Sequence, residues 1–581
     1  MIKHMSPQDR VRLLSRLRCI VGRRYVLTQG ISTRHYCTGY RFGGGPVLAV
    51  VRPGSLVEQW QVVQTLIQAG CIIIMQAANT GLTGGSTPDG DGYDRDIVLI
   101  STTRLNIVQI IQQGRQVICL PGATLTQLEE RLRPLGREPH SVIGSSCIGA
   151  SVFGGIANNS GGALVQRGPA YTELALFARV ESNGTLVLVN RLGIALGDDP
   201  ETILHRLETE QYGPGDIEPD AGPASDHGYD QHVRDIHSDL PARFNADPSR
   251  LRDVSGCAGK LIMFAVRLDT FVLQRDTRVF YIGTNRPQTL TNLRIALLTR
   301  LQELPIAAEY MHRDAYAMAA TYGKDTFLAI RLFGARRMKT LFRLKSLADQ
   351  AARILGMSPR NVADRLLQWI SHLFPNHLPR RLNQFHERYD HHLMLKVSAD
   401  NSAAVQVLLD SVLGAATEAD DEAYFECTTA EAEKAFLHRF AAAGAVVRYC
   451  TIMGSKTGGM VALDIALRRN DREWFEQLPP NLDAMIDKKI YYGHFLCHVL
   501  HQDYVLRPGH DPHAVEQRML GELDKRGARY PAEHGFGHLY AAPASLVEFY
   551  QTLDPCNCFN PGIGQTSKFQ QWSAGAEPPS F

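Results

Sequence analysis

The sequence predicts an α+β chain with more than one domain, and three observations carry that reading. A length of 581 residues exceeds what one compact core accommodates. Between Pro46 and Gly136, short apolar runs of strand length are interspersed with helix-length amphipathic segments. After about residue 269 a second series of strands and helices begins, with no internal repeat of the first.

In chain order, Pro46–Val51 reads as a strand. Ser55 caps a helix through Ala69, with Leu56, Trp60, Val63, Leu66 and Ile67 near helical spacing. Ile72–Met75 is a short buried strand, followed by strands over 96–100 and 116–120 and a helix over 125–135 closed by Gly136. From Gly193 to about Asp247 apolar density drops in favour of Asp, Glu, Gly, Pro and His, the composition of a long surface excursion. Leu261–Val266 is a clear strand, and others are expected near 279–283 and 392–397.

The apolar fraction of 44% is ordinary for a globular protein with sizeable cores. Met1 to Arg18 is mixed and charged, unlike a secretory signal peptide. No run approaches the roughly 18 apolar residues of a membrane-spanning helix. The eleven cysteines are scattered and odd in number, as expected in a reducing cytoplasm. Cys556 and Cys558 form the only close pair, and no second pair completes a zinc site.

Two glycine-rich stretches carry the chemistry. One is Gln76-Ala77-Ala78-Asn79-Thr80-Gly81-Leu82-Thr83-Gly84-Gly85-Ser86, running straight out of a strand. The other extends from Gly144-Ser145-Ser146 through Gly149-Ala150-Ser151 and Gly154-Gly155 to Asn158-Asn159-Ser160-Gly161-Gly162. Such backbone approaches a ligand closely, and its N–H groups form anion-binding nests. Two such loops suggest a diphosphate held from two sides. Neither the G-x-G-x-x-G of a doubly wound dinucleotide fold nor a Walker loop is present.

Residues 331–396 stand apart, with thirteen Arg and Lys against Asp349, Asp364, Glu387 and Asp390. Large apolar residues, Trp369 among them, are interleaved at roughly helical spacing. A basic amphipathic region is the footprint of an anionic surface, and large apolar residues point to lipid rather than nucleic acid. A solvated helical face is the alternative.

The paired loops resemble the FAD-binding domain of the vanillyl-alcohol oxidase and p-cresol methylhydroxylase superfamily. Ala77, Ala78, Asn79, Thr80, Gly81, Gly85 and Ser86 match its first loop, and Gly144, Ser151, Gly154, Gly155, Asn159 and Gly161 match its second. Met263 falls where that family contacts the adenine half by backbone, and Asp554-Pro555 with Asn560-Pro561-Gly562 resemble its closing signature. The segments 136–146, 166–172 and Phe436-Leu437-His438-Arg439-Phe440 are similar to the respiratory, quinone-dependent D-lactate dehydrogenases over nearly the whole length.

That resemblance implies a two-subdomain FAD-binding domain over 1–268, completed by 520–581. It implies an α+β cap over 269–330 and 391–519, and a basic membrane-association segment over 331–390. It implies non-covalent FAD, D-lactate as substrate, ubiquinone or menaquinone as acceptor, and anionic phospholipid at the cytoplasmic face of the inner membrane, with no nucleic acid. His140 and Cys147 lie near the second loop, and both read as structural rather than as flavin tethers. Another D-2-hydroxy acid as substrate, or a non-catalytic flavin- or lipid-binding protein, are the alternatives.

Oxidising a 2-hydroxy acid needs a base for the hydroxyl proton and a cation for the carboxylate, beside an electron acceptor. The family's Glu-His-Gly-x-Gly signature falls on Glu533-His534-Gly535-Phe536-Gly537, which makes His534 the expected base. His494 and His501, seven apart, together with Glu533, fall where related enzymes bind a divalent metal. Here Leu496-Cys497-His498-Val499 replaces the relatives' turn residues, and on an unbroken strand positions seven apart face opposite ways. A metal site, metal-free pocket histidines and a structural role therefore stay open. Arg439 matches the family's substrate arginine and Arg448 a second cationic position, against the alternative that both belong to the basic surface.

Overall fold

The computed structural model describes residues 5–28, 30–141, 148–334, 362–414 and 421–573. Its first sheet comprises β1 (Val26–Leu27), β2 (Ala49–Val51), β3 (Ile72–Gln76) and β4 (Ile97–Ser101), in the order β1-β2-β4-β3. β2 and β3 both run parallel to β4. A parallel pair cannot be joined by a tight hairpin, so the chain crosses over as the helix Leu56–Gln68. Ser55 starts it by accepting from the Glu58 amide at 3.1 Å, while Glu58 accepts from the Gly54 amide at 2.6 Å. Leu56, Trp60, Val63 and Leu66 form its buried face.

The second sheet is antiparallel throughout. It contains β5 (Val108–Ile111), β6 (Gln116–Cys119), β8 (Ala175–Val180), β9 (Leu186–Asn190) and β10 (Ile262–Asp269), in the order β5-β6-β10-β8-β9. A ribbon of β7 (Arg137–Glu138) and β11 (Phe271–Val272) lies beside it. The C-terminal segment returns to the first sheet. Ile73 donates to the Cys558 carbonyl at 3.0 Å, and Asn560 donates back to the Ile73 carbonyl at 2.9 Å. The Asp554 carboxylate holds this turn by accepting from the Cys558 and Phe559 amides.

The expected surface excursion over 193–247 is corrected by the structure. Helices Pro200–Glu208 and Tyr229–Arg234 contribute Leu204, Leu207, Tyr229 and Val233 to the cores, and residues 241–247 are buried throughout. Low average hydropathy hid these few anchors.

The third sheet has seven antiparallel strands. They are β12 (Thr277–Thr284), β13 (Ala307–His312), β14 (His391–Ser398), β15 (Glu422–Glu426), β16 (Met460–Ala466), β17 (Ile486–His494) and β18 (Val499–Leu506), in the order β15-β12-β14-β13-β17-β18-β16. The helix Thr429–Met453 opens with a Thr428/Glu431 capping box and packs in one core with the helix Arg313–Tyr322. Ala435, Ala441, Ala442 and Ala445 meet Ala315 and Ala319 there, and small side chains let the two helices approach closely. Among the described residues, no helix is long and apolar enough to cross a membrane.

Candidate active site

The first glycine-rich loop leaves β3 and is closed on itself. Gln76 Nε2 donates to the Tyr36 and Ser86 carbonyls at 2.9 and 2.8 Å. Asn79 sits at φ 52°, accepts from Ser86 Oγ at 3.0 Å and donates to the Thr38 carbonyl at 2.9 Å. Among the described residues, nothing accepts from the amides of Ala77 through Leu82, and a Cβ added at Gly81 would meet nothing within 4 Å. Free amides around open space are what a diphosphate requires. The loop therefore fits the FAD that the sequence predicts.

Ser151 caps the helix Val152–Ala157 by accepting from the Gly154 amide at 3.0 Å, so its hydroxyl is already engaged. The Met263 carbonyl accepts from Gln59 Nε2 at 3.0 Å. Gly144 and Cys147 lie outside the described residues. His140 is buried, and desolvation lowers its pKa to about 4.

The Glu533–Gly537 signature packs directly on this cradle. Thr83 Oγ1 donates to the Gly535 carbonyl at 2.7 Å, and the His538 amide donates to the Thr83 carbonyl at 2.9 Å. Added Cβ atoms would lie 2.1 Å from Asn158 Oδ1 at Gly535 and 2.1 Å from the Thr83 carbonyl at Gly537. Gly85 lies against Gly537, with 3.6 Å from its would-be Cβ to the Gly537 Cα. Both glycines of the signature are thus needed so that two loops can touch.

The sheet supplies the other groups. Glu309 on β13 stands opposite His494 on β17, and Asp464 on β16 stands opposite His501 on β18. The hairpin register pairs His501 with Tyr492, two residues before His494, so all four side chains share one face. The opposite-face expectation for His494 and His501 is therefore corrected. Phe495–Cys497 form a 3₁₀ turn that ends at His498 with φ 53°, and the chain reverses between the two histidines. Their rings lie 5.4 Å apart, and ligand atoms of His494, His501 and Glu533 all fall within 4.8 Å of one another.

Each of these three has a second partner behind it. His494 Nδ1 meets Glu309 Oε1 at 2.6 Å, His501 Nδ1 meets Asp464 Oδ1 at 3.2 Å, and Arg243 Nη2 meets Glu533 Oε1 at 2.5 Å. His494 Nε2 faces Glu533 Oε2 at 3.2 Å. Carboxylates behind both Nδ1 atoms leave both Nε2 atoms for the centre, the outer-shell pattern of a histidine metal site.

Burial by itself disfavours charge on His494, but Glu309 and Glu533 outweigh it and raise its pKa to about 10. Burial likewise raises Glu533, and Arg243 and His494 reverse this to about 2. Glu309 is held low despite burial by His494 and Arg439, and Asp464 despite burial by His534 and His501. These directions favour charge on all of these groups, the carboxylates as anions and His494 as the imidazolium.

Asp464 also aligns the signature, accepting from the Glu533 and His534 amides at 2.7 and 2.8 Å. His534 Nδ1 lies 3.4 Å from Asp464 Oδ2, and its ring stacks on His501 at 5.8 Å. Desolvation depresses the His534 pKa, with Asp464 pulling the other way. A neutral imidazole oriented through Nδ1 presents Nε2 as a base.

Arg439 is buried, not on the basic surface. It pairs with Glu309 at 3.0 Å and lies 4.6 Å over the Tyr492 ring. Its Nε has no partner among the described residues. Arg448 is elsewhere, bound to Asp325 and Asp364 at 2.8 and 2.7 Å, so its reading as a second substrate cation is corrected.

Four further residues escaped sequence reasoning. Glu309, Arg243 and Asp464 lie on segments without a motif, and Arg243 sits in the low-hydropathy stretch. Arg41 is exposed, makes no ion pair within 4 Å among the described residues, and its charge reaches His534, Asp503 and Tyr492. No local signal marks any of them, because strand register and loop packing bring them together.

A second candidate surface lies on the helix Val362–His372, which is inside out. Asp364, Gln368 and Ser371 are buried, whereas Leu366, Trp369 (62% exposed) and Leu373 (69%) line the solvent side, with Phe374 and Leu332 nearby. Asp364 pairs with Arg448, and Gln368 donates to the Thr321 carbonyl at 3.0 Å. An apolar stripe turned outward marks an interaction surface. Residues 335–361 of the predicted basic segment lie outside the described residues.

Comparison with known proteins agrees with this geometry. Residues 279–572 match a family model described as D-lactate dehydrogenase, membrane binding, and residues 47–190 match an FAD binding domain. The quinone-dependent D-lactate dehydrogenase of Haemophilus influenzae is 52% identical, over 98% of this chain and 100% of the relative. That of Escherichia coli is 52% identical over 98% and 99%. The fold is similar to that of p-cresol methylhydroxylase, with a TM-score of 0.57 at 12% identity over 97% and 98% of the two chains. At such identity over nearly all of both chains, the protein belongs to the family of quinone-dependent D-lactate dehydrogenases.

Proposed function

We propose that this chain oxidises D-lactate to pyruvate and passes the electrons to a membrane quinone. The observation that carries the reading is the contact of the Glu533-His534 loop with the glycine-rich cradle, through Thr83, Asn158 and Gly535. FAD, when bound, supplies the two-electron acceptor for the lactate α-carbon. Ala77, Ala78, Asn79, Thr80, Gly81, Gly85 and Ser86 would hold it from the first loop, and Ser151 and Gly161 from the second; Gly144 and Met263 are included on the family resemblance.

His534 takes the hydroxyl proton on Nε2, with Asp464 fixing its ring. Arg439 pairs with the substrate carboxylate through its unpartnered Nε, and Arg41 provides the second cation. His494, His501 and Glu533 would hold a divalent cation, which would supply a Lewis acid for the hydroxyl oxygen. To serve as a ligand there, His494 would first have to give up its Nε2 proton.

The FAD-binding domain is assigned to 1–268 with 520–581, the cap to 269–330 with 391–519, and the membrane segment to 331–390. Its outward apolar stripe, flanked by exposed Arg331, Arg365 and Arg380, supports docking on anionic phospholipid at the cytoplasmic face. Mixing purified protein anaerobically with D-lactate is expected to bleach the flavin, and a soluble quinone analogue is expected to restore its colour. A flavin that stays yellow with D-lactate, or turnover with NAD alone, would overturn the reading.

A further inference from the structure

Beneath the outward apolar stripe lies a group of histidines that the lactate chemistry does not use. His377 follows Phe374 by three residues and is buried, with its ring 4.4 Å from Phe327. His438 lies 6.1 Å further in and packs edge-on against Tyr316 at 4.3 Å. His386 stacks on the other side of Tyr316 at 4.4 Å.

These rings are underused. His377 Nε2, His386 Nε2 and His438 Nδ1 are buried without a hydrogen-bond partner among the described residues. His438 Nε2 donates to the Tyr316 carbonyl at 3.1 Å, so its bare Nδ1 is an acceptor. Burial lowers the pKa of His377 to about 4 and that of His438 to about 3, which keeps both neutral. Several unsatisfied polar atoms in one place require an explanation.

Position supplies one. His377 follows the exposed Leu373 and Phe374 closely in the chain. His438 adjoins Arg439 on one helix, and Tyr316 shares a core with Tyr492, over which Arg439 lies. A flat ligand with an apolar tail and two carbonyl oxygens suits aromatic walls with neutral imidazoles.

We propose that His377, His386 and His438, around Tyr316 and Phe327, bind the para-quinone headgroup that arrives from the membrane. This rests on the functional reading above. A neutral imidazole N–H donates to a quinone carbonyl, and His438 Nδ1 accepts from the quinol hydroxyl. Reduction takes up two electrons, which the oxidation of one D-lactate supplies. It also takes up two protons, one on each carbonyl oxygen, matching the two that lactate loses.

The test compares the wild-type flavoprotein with His377→Phe and His377→Asn, using short-chain ubiquinone and menaquinone analogues in separate arms. Binding is read by equilibrium dialysis against the oxidised protein, without turnover. His377→Phe is expected to weaken binding and raise the quinone KM roughly tenfold. Bleaching of the flavin by D-lactate and reduction of a soluble dye are expected to stay unchanged. His377→Asn, which keeps a donor, is expected to recover most of the loss even if the Phe variant folds poorly. Binding within twofold of wild type in His377→Phe would overturn this site alone. A wild-type protein that reduces the dye but neither quinone would overturn the functional reading instead.

Discussion

Replacing Gly161 by Ala tests the active-site geometry with the smallest possible change. A Cβ at this position would lie 2.3 Å from Glu533 Oε1, 2.6 Å from its Cδ and 2.9 Å from Arg243 Nε. The Gly161 backbone is not in the left-handed region, so alanine adds volume without backbone strain. Ordinary contact begins at 3.4 Å, so the carboxylate must retreat by about 1 Å, an overpacking that costs about 1–3 kcal/mol. Glu533 is held by Arg243 at 2.5 Å and by His494 at 3.2 Å, and the shift breaks at least one of these pairs. A misplacement of about 1 Å near reacting groups lowers rate about a hundredfold. The assay is kcat/KM for D-lactate with a soluble dye, beside flavin content by absorbance and a thermal melt. Gly215→Ala, where a Cβ meets nothing, serves as the neutral control. A Gly161→Ala protein with full flavin and kcat/KM within threefold of wild type would refute the packing argument.

Asp464→Asn keeps an acceptor for the two amides but removes the charge behind His501 and His534. It is expected to lower kcat by about 10²–10⁴-fold with flavin retained, as measured by stopped-flow reduction with D-lactate. Exhaustive chelation is expected to lower kcat and leave flavin content unchanged. Activity should return with a divalent ion and depend on His494 and His501; metal analysis before and after checks this. The double change Trp369→Ser with Leu373→Ser removes apolar side chains worth about 1.5–3 kcal/mol each when buried. Co-sedimentation with anionic vesicles is expected to drop more than tenfold while dye reduction is unaffected. His140 and His391 are buried, and burial lowers both to about 4 from 6.5. The unfolded chain then binds more protons than the folded one between these values, so stability is lost as pH falls from 6.5 to 4. Melts across that window check the sign, and a Tm that rises on acidification would contradict it.

Much of the flavin cradle was legible because it is local. A strand running into Gln76-Ala77-Ala78-Asn79-Thr80-Gly81 specifies its own loop, since one stretch of backbone supplies both the amides and the conformational freedom. The Glu533-His534-Gly535-Phe536-Gly537 signature was legible for a similar reason, because its two glycines permit contact with a neighbouring loop. The turn between His494 and His501 was misread. Leu496-Cys497-His498-Val499 lacks turn residues, yet burial of Phe495, Leu496 and Cys497 in the core drives the reversal and forces His498 to positive φ. The inside-out character of Val362–His372 was also hidden, because periodicity identifies an apolar face but not what that face meets.

The sequence by itself determined the α+β class, and it pointed to the candidate cradle and to His534, since each is written in contiguous residues whose chemistry acts over a few bonds. Only the tertiary structure decided which charges meet. Cross-strand register put Glu309 behind His494 and Asp464 behind His501, and a buried loop brought Arg243 to Glu533. The physical reason is that ion pairing depends on distances of a few ångströms between segments far apart along the chain. No local propensity encodes those distances.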